Sequence, residues 1–198
     1  MLLIEAGPDY SSTESTPSSI LSAKKPALDH DWGFDAEMTP GRRFGYARGR
    51  VVGGSSAVNA CLALRGIPSD YDEWREFGLE DWSWTDVLPV FRSIENDIDV
   101  SNEYHGQGGS IEVRRHQLQN LTPGQAAFYS TCLDLGFPET VDHNNPESTG
   151  VGTGPWNIDE NGRRISTAMA YLERARSRKN LKILGGIMGT DILDVAGV

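Results

Sequence analysis

The chain is poor in the residues that mark several common protein classes. Only two of its 198 residues are cysteines, Cys61 and Cys132. Neither lies in a Cys-x-x-Cys pair, so neither a zinc site nor a disulfide framework is expected, and two reduced thiols in or near a core are the simpler reading. Positive charge is scarce as well: 18 Lys and Arg face 28 Asp and Glu, a formal net charge of −10. That balance argues against nucleic acid as the main partner, because phosphate recognition needs a basic surface. Arginines do gather at 42–50 and 163–178, which leaves room for a local anion site. No apolar run is long enough to span a membrane. The N-terminus lacks the basic segment, apolar stretch and cleavage site of a secretory leader, but the true start is expected upstream of Met1, so the compartment stays open. What remains, 38% hydrophobic and 23% charged, is a globular composition long enough for one or two domains with a core.

The order of elements points to an α/β (α+β) chain. "MLLIEAG" is a continuous apolar run ending in an acid and a glycine, which predicts a strand buried on both faces, as in a parallel sheet. "DYDEWREFG" predicts a short helix stopped by Gly78. Ser83 and Asp86 have capping-box spacing and open a helix with Val87, Leu88, Phe91 and Ile94 on one face. Pro89 is expected to kink that helix or confine it to its first turns. "GGSIEVRRH" alternates Ile111 and Val113 with polar residues, a half-exposed strand. Thr122, Pro123 and Gly136 read as the N-cap, first position and terminator of a further helix. Residues 138–163 read as loop. "ISTAMAYLERARSRKN" is the strongest helical pattern, with Ser166 as cap, and "LKILGGIMGTDILDV" predicts two short strands. Trp74, Trp82, Trp84 and Phe91 read as packing between helices rather than as a ligand platform.

The chemistry concentrates in "RVVGGSSAVNACLAL". Val51 and Val52 favour extended backbone, and Gly53 and Gly54 permit a tight turn and close approach by another molecule. Ser55 or Ser56 is expected to cap a helix running through "AVNACLAL", whose first N–H groups would attract a phosphate. A glycine turn before a capped, buried structural helix accounts for the same residues. The stretch is not a GxxxxGK[ST] phosphate loop, since no lysine follows. Glu5 sits at the end of a strand, the position at which nucleotide-binding folds hold a ribose through its hydroxyls; taken alone it reads more simply as a solvated loop acid, and it is the pairing with the downstream glycine turn that is informative.

"LLIEAGP", "ARGRVVGGSSAVNACLALRG" and "DYDEWREFGLEDWSWTDVLPVFRSIEND" together resemble the glucose–methanol–choline (GMC) family of flavin-dependent oxidoreductases. "YHGQGGSIEV" and "GRRISTAMAYLERARSRKNLKIL" extend the resemblance, in the expected order, over essentially the whole chain. It implies part of an FAD-binding Rossmann-like domain over 1–98, the start of a substrate or cap domain over 99–165, and a return to the FAD-binding domain over 166–198. It implies FAD as cofactor, with Glu5 on the adenosine ribose and Gly53, Gly54 and Ser55 along the pyrophosphate and flavin side. Asn59, Ala60, Cys61 and Leu62 would pass close to the cofactor, and Gly189 would reach the adenine end through its backbone, although the family usually carries an apolar β-branched residue near there. Some members attach flavin through a histidine just before the asparagine; Val58 stands here, so FAD is expected to be bound non-covalently.

The family's GxGxxG strand is expected upstream of Met1, and its C-terminal catalytic histidine region is absent from this sequence. His30, His105, His116 and His143 do not occupy the matching context and read as ordinary surface or loop histidines; no catalytic residue and no metal ligand is assigned. The reading is a fragment of a choline dehydrogenase-like oxidoreductase acting on the CH–OH group of a small alcohol, inactive by itself. A non-catalytic binding module reusing the scaffold is the alternative. A nicotinamide-dependent dehydrogenase is favoured only by the acid after the first strand.

Overall fold

The computed structural model describes residues 1–189. Along the chain, the described strands are β1 (Leu2–Ile4), β2 (Phe34–Thr39), β3 (Arg42–Tyr46), β4 (Glu95–Asp97), β5 (Ile111–Arg115), β6 (Pro155–Trp156) and β7 (Lys182–Leu184). The helices are α1 (Ser18–Leu21), α2 (Pro68–Glu76), α3 (Trp84–Ile94), α4 (Pro123–Asp134) and α5 (Glu173–Ala175), the last entered from a π-helical turn, Ala168–Leu172. The chain divides into two compact units, one from residues 1–60 and 163–198, the other from residues 61–162.

In the first unit, β1 and β7 pair in parallel, with Leu3 opposite Ile183. Burial of β1 on both faces is not found: Leu2 and Ile4 are 54% and 50% exposed. β7 is the only partner of β1 among the described residues, so nothing covers its second edge there. The core lies instead under the segment leading to the diglycine, where Ile20, Ala27, Val51, Ala57 and Val58 pack together and Tyr10 closes one side. β2 and β3 form an exposed antiparallel hairpin whose turn carries Gly41 at φ +76°. Ser166 opens the last helical segment as expected, its Oγ accepting from Met169 N at 3.4 Å. Of the two strands expected in "LKILGGIMGTDILDV", the first is β7; "DILDV" lies outside the described residues.

In the second unit, β4, β5 and β6 form a sheet, β4–β5 parallel and β5–β6 antiparallel. α2 ends before Gly78 at φ +92°. The Ser83–Asp86 capping box is present, with Ser83 N donating to Asp86 Oδ2 at 3.2 Å. Pro89 neither stops nor confines α3, which runs through it to Ile94. The hydrogen bond a proline removes belongs to the carbonyl four residues earlier, here on Thr85, an exposed residue, so the loss does not fall in a buried place. Thr122 caps α4, and Gly136 follows its end at φ +86°. Tyr71 is the hub of the aromatic cluster, with ring centroids 5.6–5.7 Å from Trp74, Trp84 and Phe91. Both cysteines are free thiols, Cys61 buried and Cys132 half-buried.

Candidate functional site

The residues expected to bind a nucleotide begin at the end of β1. Glu5 N donates to Leu184 O at 3.0 Å, so the parallel pairing with β7 holds the acid at the strand's C-terminal end. Glu5 Oε1 accepts from Gly7 N at 2.8 Å. Gly7 allows this turn to lie directly on the chain that enters the diglycine: a Cβ there would sit 1.9 Å from Arg50 O. Val52 N donates to Pro8 O at 3.0 Å and fastens the two segments. Glu5 and the diglycine are thereby held on adjoining stretches of backbone, although they lie far apart in sequence.

The turn itself differs from expectation. Gly53 and Gly54 both adopt positive φ, +102° and +55°. The residues after them form a four-residue 3-10 turn, Gly54–Ala57, and not a helix through "AVNACLAL". Neither serine caps a helix. Ser55 Oγ accepts from Gly49 N at 3.2 Å, and Ser56 Oγ donates to Gly53 O at 2.6 Å. The helix fails because tertiary partners claim the backbone: Ala27 N donates to Val58 O at 3.1 Å, and Val58 has left helical geometry at φ −124°. The helix-dipole argument for anion binding therefore does not apply. What the turn offers instead is room. A Cβ on Gly54 would meet nothing within 4 Å, whereas one on Gly53 would lie 3.1 Å from Ala168 Cβ. Gly54 thus bares a side-chain-free stretch of backbone in a conformation that L-residues rarely adopt.

Segment 163–167 braces this turn, which the sequence reading missed. Thr167 N donates to Ser56 Oγ at 3.0 Å, and Thr167 Oγ1 donates to Gly53 O at 3.3 Å. Arg164, 1% exposed, reaches Asn59 Oδ1 at 2.7 Å. The signal available was the paired arginine in "GRRIST", read only as part of a basic cluster. Asn59 and Ala60 are exposed. Cys61 and Leu62 belong to the second unit, where Cys61 is buried at φ +61° and its carbonyl accepts from Asn157 N at 2.8 Å, while Leu62 bridges to Trp156. Gly189 is exposed, with open space around its Cβ position.

The second unit holds a buried polar cluster around His105, which lies in a loop, one of the two settings expected for it, but is 2% exposed and so not a surface histidine. Its ring Nδ1 lies 3.0 Å from Glu95 Oε2 and 3.0 Å from Asp97 Oδ2, and Nε2 lies 3.1 Å from Asp142 Oδ2. Every neighbour is a carboxylate, so both ring nitrogens must donate and the ring is an imidazolium. Burial alone would lower its pKa, but hydrogen bonds to Asp142, Asp97 and Glu95 outweigh burial and push it up to about 10. Burial likewise works against ionised Asp97, yet hydrogen bonds from His105 and Arg115 hold its carboxyl far below the ordinary carboxylate range. Arg115 Nη1 contacts both Asp97 oxygens at 2.8 and 2.9 Å, and Arg65 Nη2 lies 2.7 Å from Glu95 Oε2. Glu95, Asp97 and His105 also present ligand atoms within 4.8 Å of one another, a spacing compatible with a metal ion. Three carboxylates facing one imidazolium and two guanidiniums are already charge-balanced, so a cation there would have to displace a partner. Locked as a proton donor, His105 has no lone pair for general-base work.

The comparisons with known proteins agree with this fold. The GMC oxidoreductase family matches residues 8–195. An uncharacterised GMC-type oxidoreductase of Rhodococcus erythropolis is 36% identical over 100% of this chain and 42% of its own length. An oxygen-dependent choline dehydrogenase of Vibrio vulnificus is 36% identical over 98% of this chain and 35% of its own. Among solved structures, pyridoxine 4-oxidase from Mesorbium loti superposes with a TM-score of 0.81 at 36% identity, covering 93% of this chain and 37% of that one. The chain spans 35% to 42% of the length of these curated relatives. The resemblance first carried by the Glu5 strand, the diglycine turn and the 70–96 block is therefore one of descent, and the chain belongs to the GMC oxidoreductase family.

Proposed function

We propose that the first unit is part of the FAD-binding half of an oxidoreductase that acts on the CH–OH group of a small alcohol. The observation that carries the reading is the pairing of an acid-tipped strand with a bare, left-handed Gly54, brought onto adjoining backbone by Gly7. Glu5 accepts the ribose hydroxyls. The Gly53–Ser55 backbone lies along the pyrophosphate, and the missing Cβ of Gly54 permits that approach. Asn59 and Ala60 face the cofactor, and Gly189 adds a backbone contact from the same unit. Val58 offers no nucleophile for a covalent link, so the cofactor is held non-covalently. When bound, FAD supplies the hydride acceptor for alcohol oxidation. This chain binds and orients it, and the proton acceptor belongs to the part of the family's length not represented here. Choline and pyridoxine, named in two of the relatives, each carry such a CH–OH group.

The test is a titration of the purified chain with FAD, following flavin fluorescence and the visible absorption band. Saturable quenching that Glu5→Gln and Gly54→Val both weaken is the expected result. FAD that remains free in solution at all protein concentrations overturns the reading.

A further inference from the structure

We propose that Thr167 is a positioning residue that, acting with Ser56, pre-orders the diglycine turn for the FAD pyrophosphate; the inference rests on the FAD reading above. Two successive glycines leave the backbone at 53 and 54 without side-chain restraint, and a ligand lying along such a turn has to order it on binding. Hydroxyls supply the restraint here. Ser56 Oγ donates to Gly53 O at 2.6 Å. Thr167 Oγ1 lies 2.9 Å from Ser56 Oγ and 3.3 Å from Gly53 O, and Thr167 N donates to Ser56 Oγ at 3.0 Å. Ser56 has one proton and gives it to the carbonyl, so the proton of Thr167 goes to Ser56 Oγ or to that same carbonyl. Both arrangements tighten the clamp. At the other end of the same peptide, Gly54 N donates to Val51 O at 2.8 Å. The plane between the two glycines is therefore gripped at its oxygen and at its nitrogen, with Gly53 and Gly54 at φ +102° and +55°. The nitrogen grip is local to the turn, whereas the oxygen grip is anchored far along the chain. Thr167 leads directly into the π-helical turn Ala168–Leu172, and Ala170 N donates back to Ser166 O at 2.8 Å, so the residue that carries the clamp is itself held by helical backbone. The clamp leaves the Cβ side of Gly54 open, with nothing within 4 Å. Thr167 touches no cofactor in this account and acts through the Gly53 carbonyl.

The experiment uses the full 198-residue chain, unaltered and as Thr167→Val, Thr167→Ser and Ser56→Ala, with folding checked by circular dichroism. Backbone amide NMR relaxation is measured without ligand, and FAD affinity by fluorescence titration. In the unaltered chain the Gly53 and Gly54 amides should be as ordered as those of Val51 and Val52, with order parameters of about 0.85. Valine keeps the shape of threonine and removes the hydroxyl. Thr167→Val should lower the order parameters of both glycines and weaken FAD binding about fivefold, the net worth of one hydrogen bond. Thr167→Ser should match the unaltered chain in both readings, and Ser56→Ala should lose at least as much as Thr167→Val. A contact that serves only global stability moves neither reading while the chain stays folded. Unchanged glycine order in Thr167→Val overturns the proposal, as does an FAD affinity within about twofold of the unaltered chain. So does Thr167→Ser behaving like Thr167→Val. If Thr167→Val does not fold, Ser56→Ala decides by the same two readings. Failure of both to fold overturns the proposal by marking the hydroxyls as structural. Absence of FAD binding by the unaltered chain overturns the FAD reading and this inference together, whereas the other negative outcomes overturn only the inference.

Discussion

His105 Nε2 and Asp142 Oδ2 lie 3.1 Å apart, both buried, joining two loops separated by 37 positions in sequence. The contact matters because β4 and β5 run parallel without a helix between them. The intervening loop has to be held by side chains, and His105 is its anchor.

That anchor gives the second unit an alkaline limit. The folded pKa of His105, about 10, lies above its ordinary value of 6.5. A raised pKa contributes stability that is fully present below about pH 6.5 and is lost as pH rises through about 10. The loss is on the order of 5 kcal/mol. Thermal melting followed by near-UV circular dichroism should show this decline, and His105→Gln should flatten it.

The acidic limb has the opposite sign. Glu95, Asp97 and Asp142 all have lowered pKa values. Their contribution is present above the ordinary carboxylate range and is lost as pH falls below about 3.8, the ordinary value of Asp97. Asp97→Asn at neutral pH should destabilise the unit by about 3–5 kcal/mol, since it leaves Arg115 and His105 facing too little negative charge in a buried place. Urea unfolding monitored by tryptophan fluorescence measures this.

Gly106 and Gly108 form an internal control. A Cβ at Gly106 would sit 1.9 Å from Arg92 O, and one at Gly108 would meet nothing within 4 Å. Gly106→Ala should abolish cooperative folding of the second unit or cost upward of about 3 kcal/mol, because backbone must move. Gly108→Ala should change stability by less than about 1 kcal/mol. A pair of urea melts decides it.

Thr122→Ala should cost about 1 kcal/mol by removing the hydroxyl that accepts from Gln125 N at the start of α4. The change should appear in the urea midpoint with no change in FAD affinity.

The parts legible in the sequence are those settled within one or two turns of chain. Thr122 with Pro123, Ser83 with Asp86, and Gly78 and Gly136 each carry their own stop or start, and all four fall where the spacing predicts. The resemblance to the family was legible for a different reason: the diglycine and its flanks keep a fixed order of residues. The geometry after the diglycine was not legible. "AVNACLAL" has helical periodicity, but Ala27 holds the Val58 carbonyl, and in the second unit Asn157 holds that of Cys61. Such partners cannot be inferred from neighbours in the text. His105 was missed for the same reason, since its carboxylates come from β4 and from residue 142. Arg164 sat in plain view as one of two adjacent arginines, yet only the backbone carbonyls around it reveal that it is buried.

The discontinuity of the first unit governs the order in which the chain matures. Residues 61–162 form one uninterrupted stretch, while the other unit is assembled from segments on either side of it. Pairing Leu3 with Ile183 closes a loop of roughly 180 positions, an entropic cost that nearby contacts do not carry. During synthesis the interior stretch is complete while the opening strand still waits for its mate. The acid at the tip of that strand is therefore fixed only once residues 182–184 have been made, and the brace behind Gly53 only once Thr167 has.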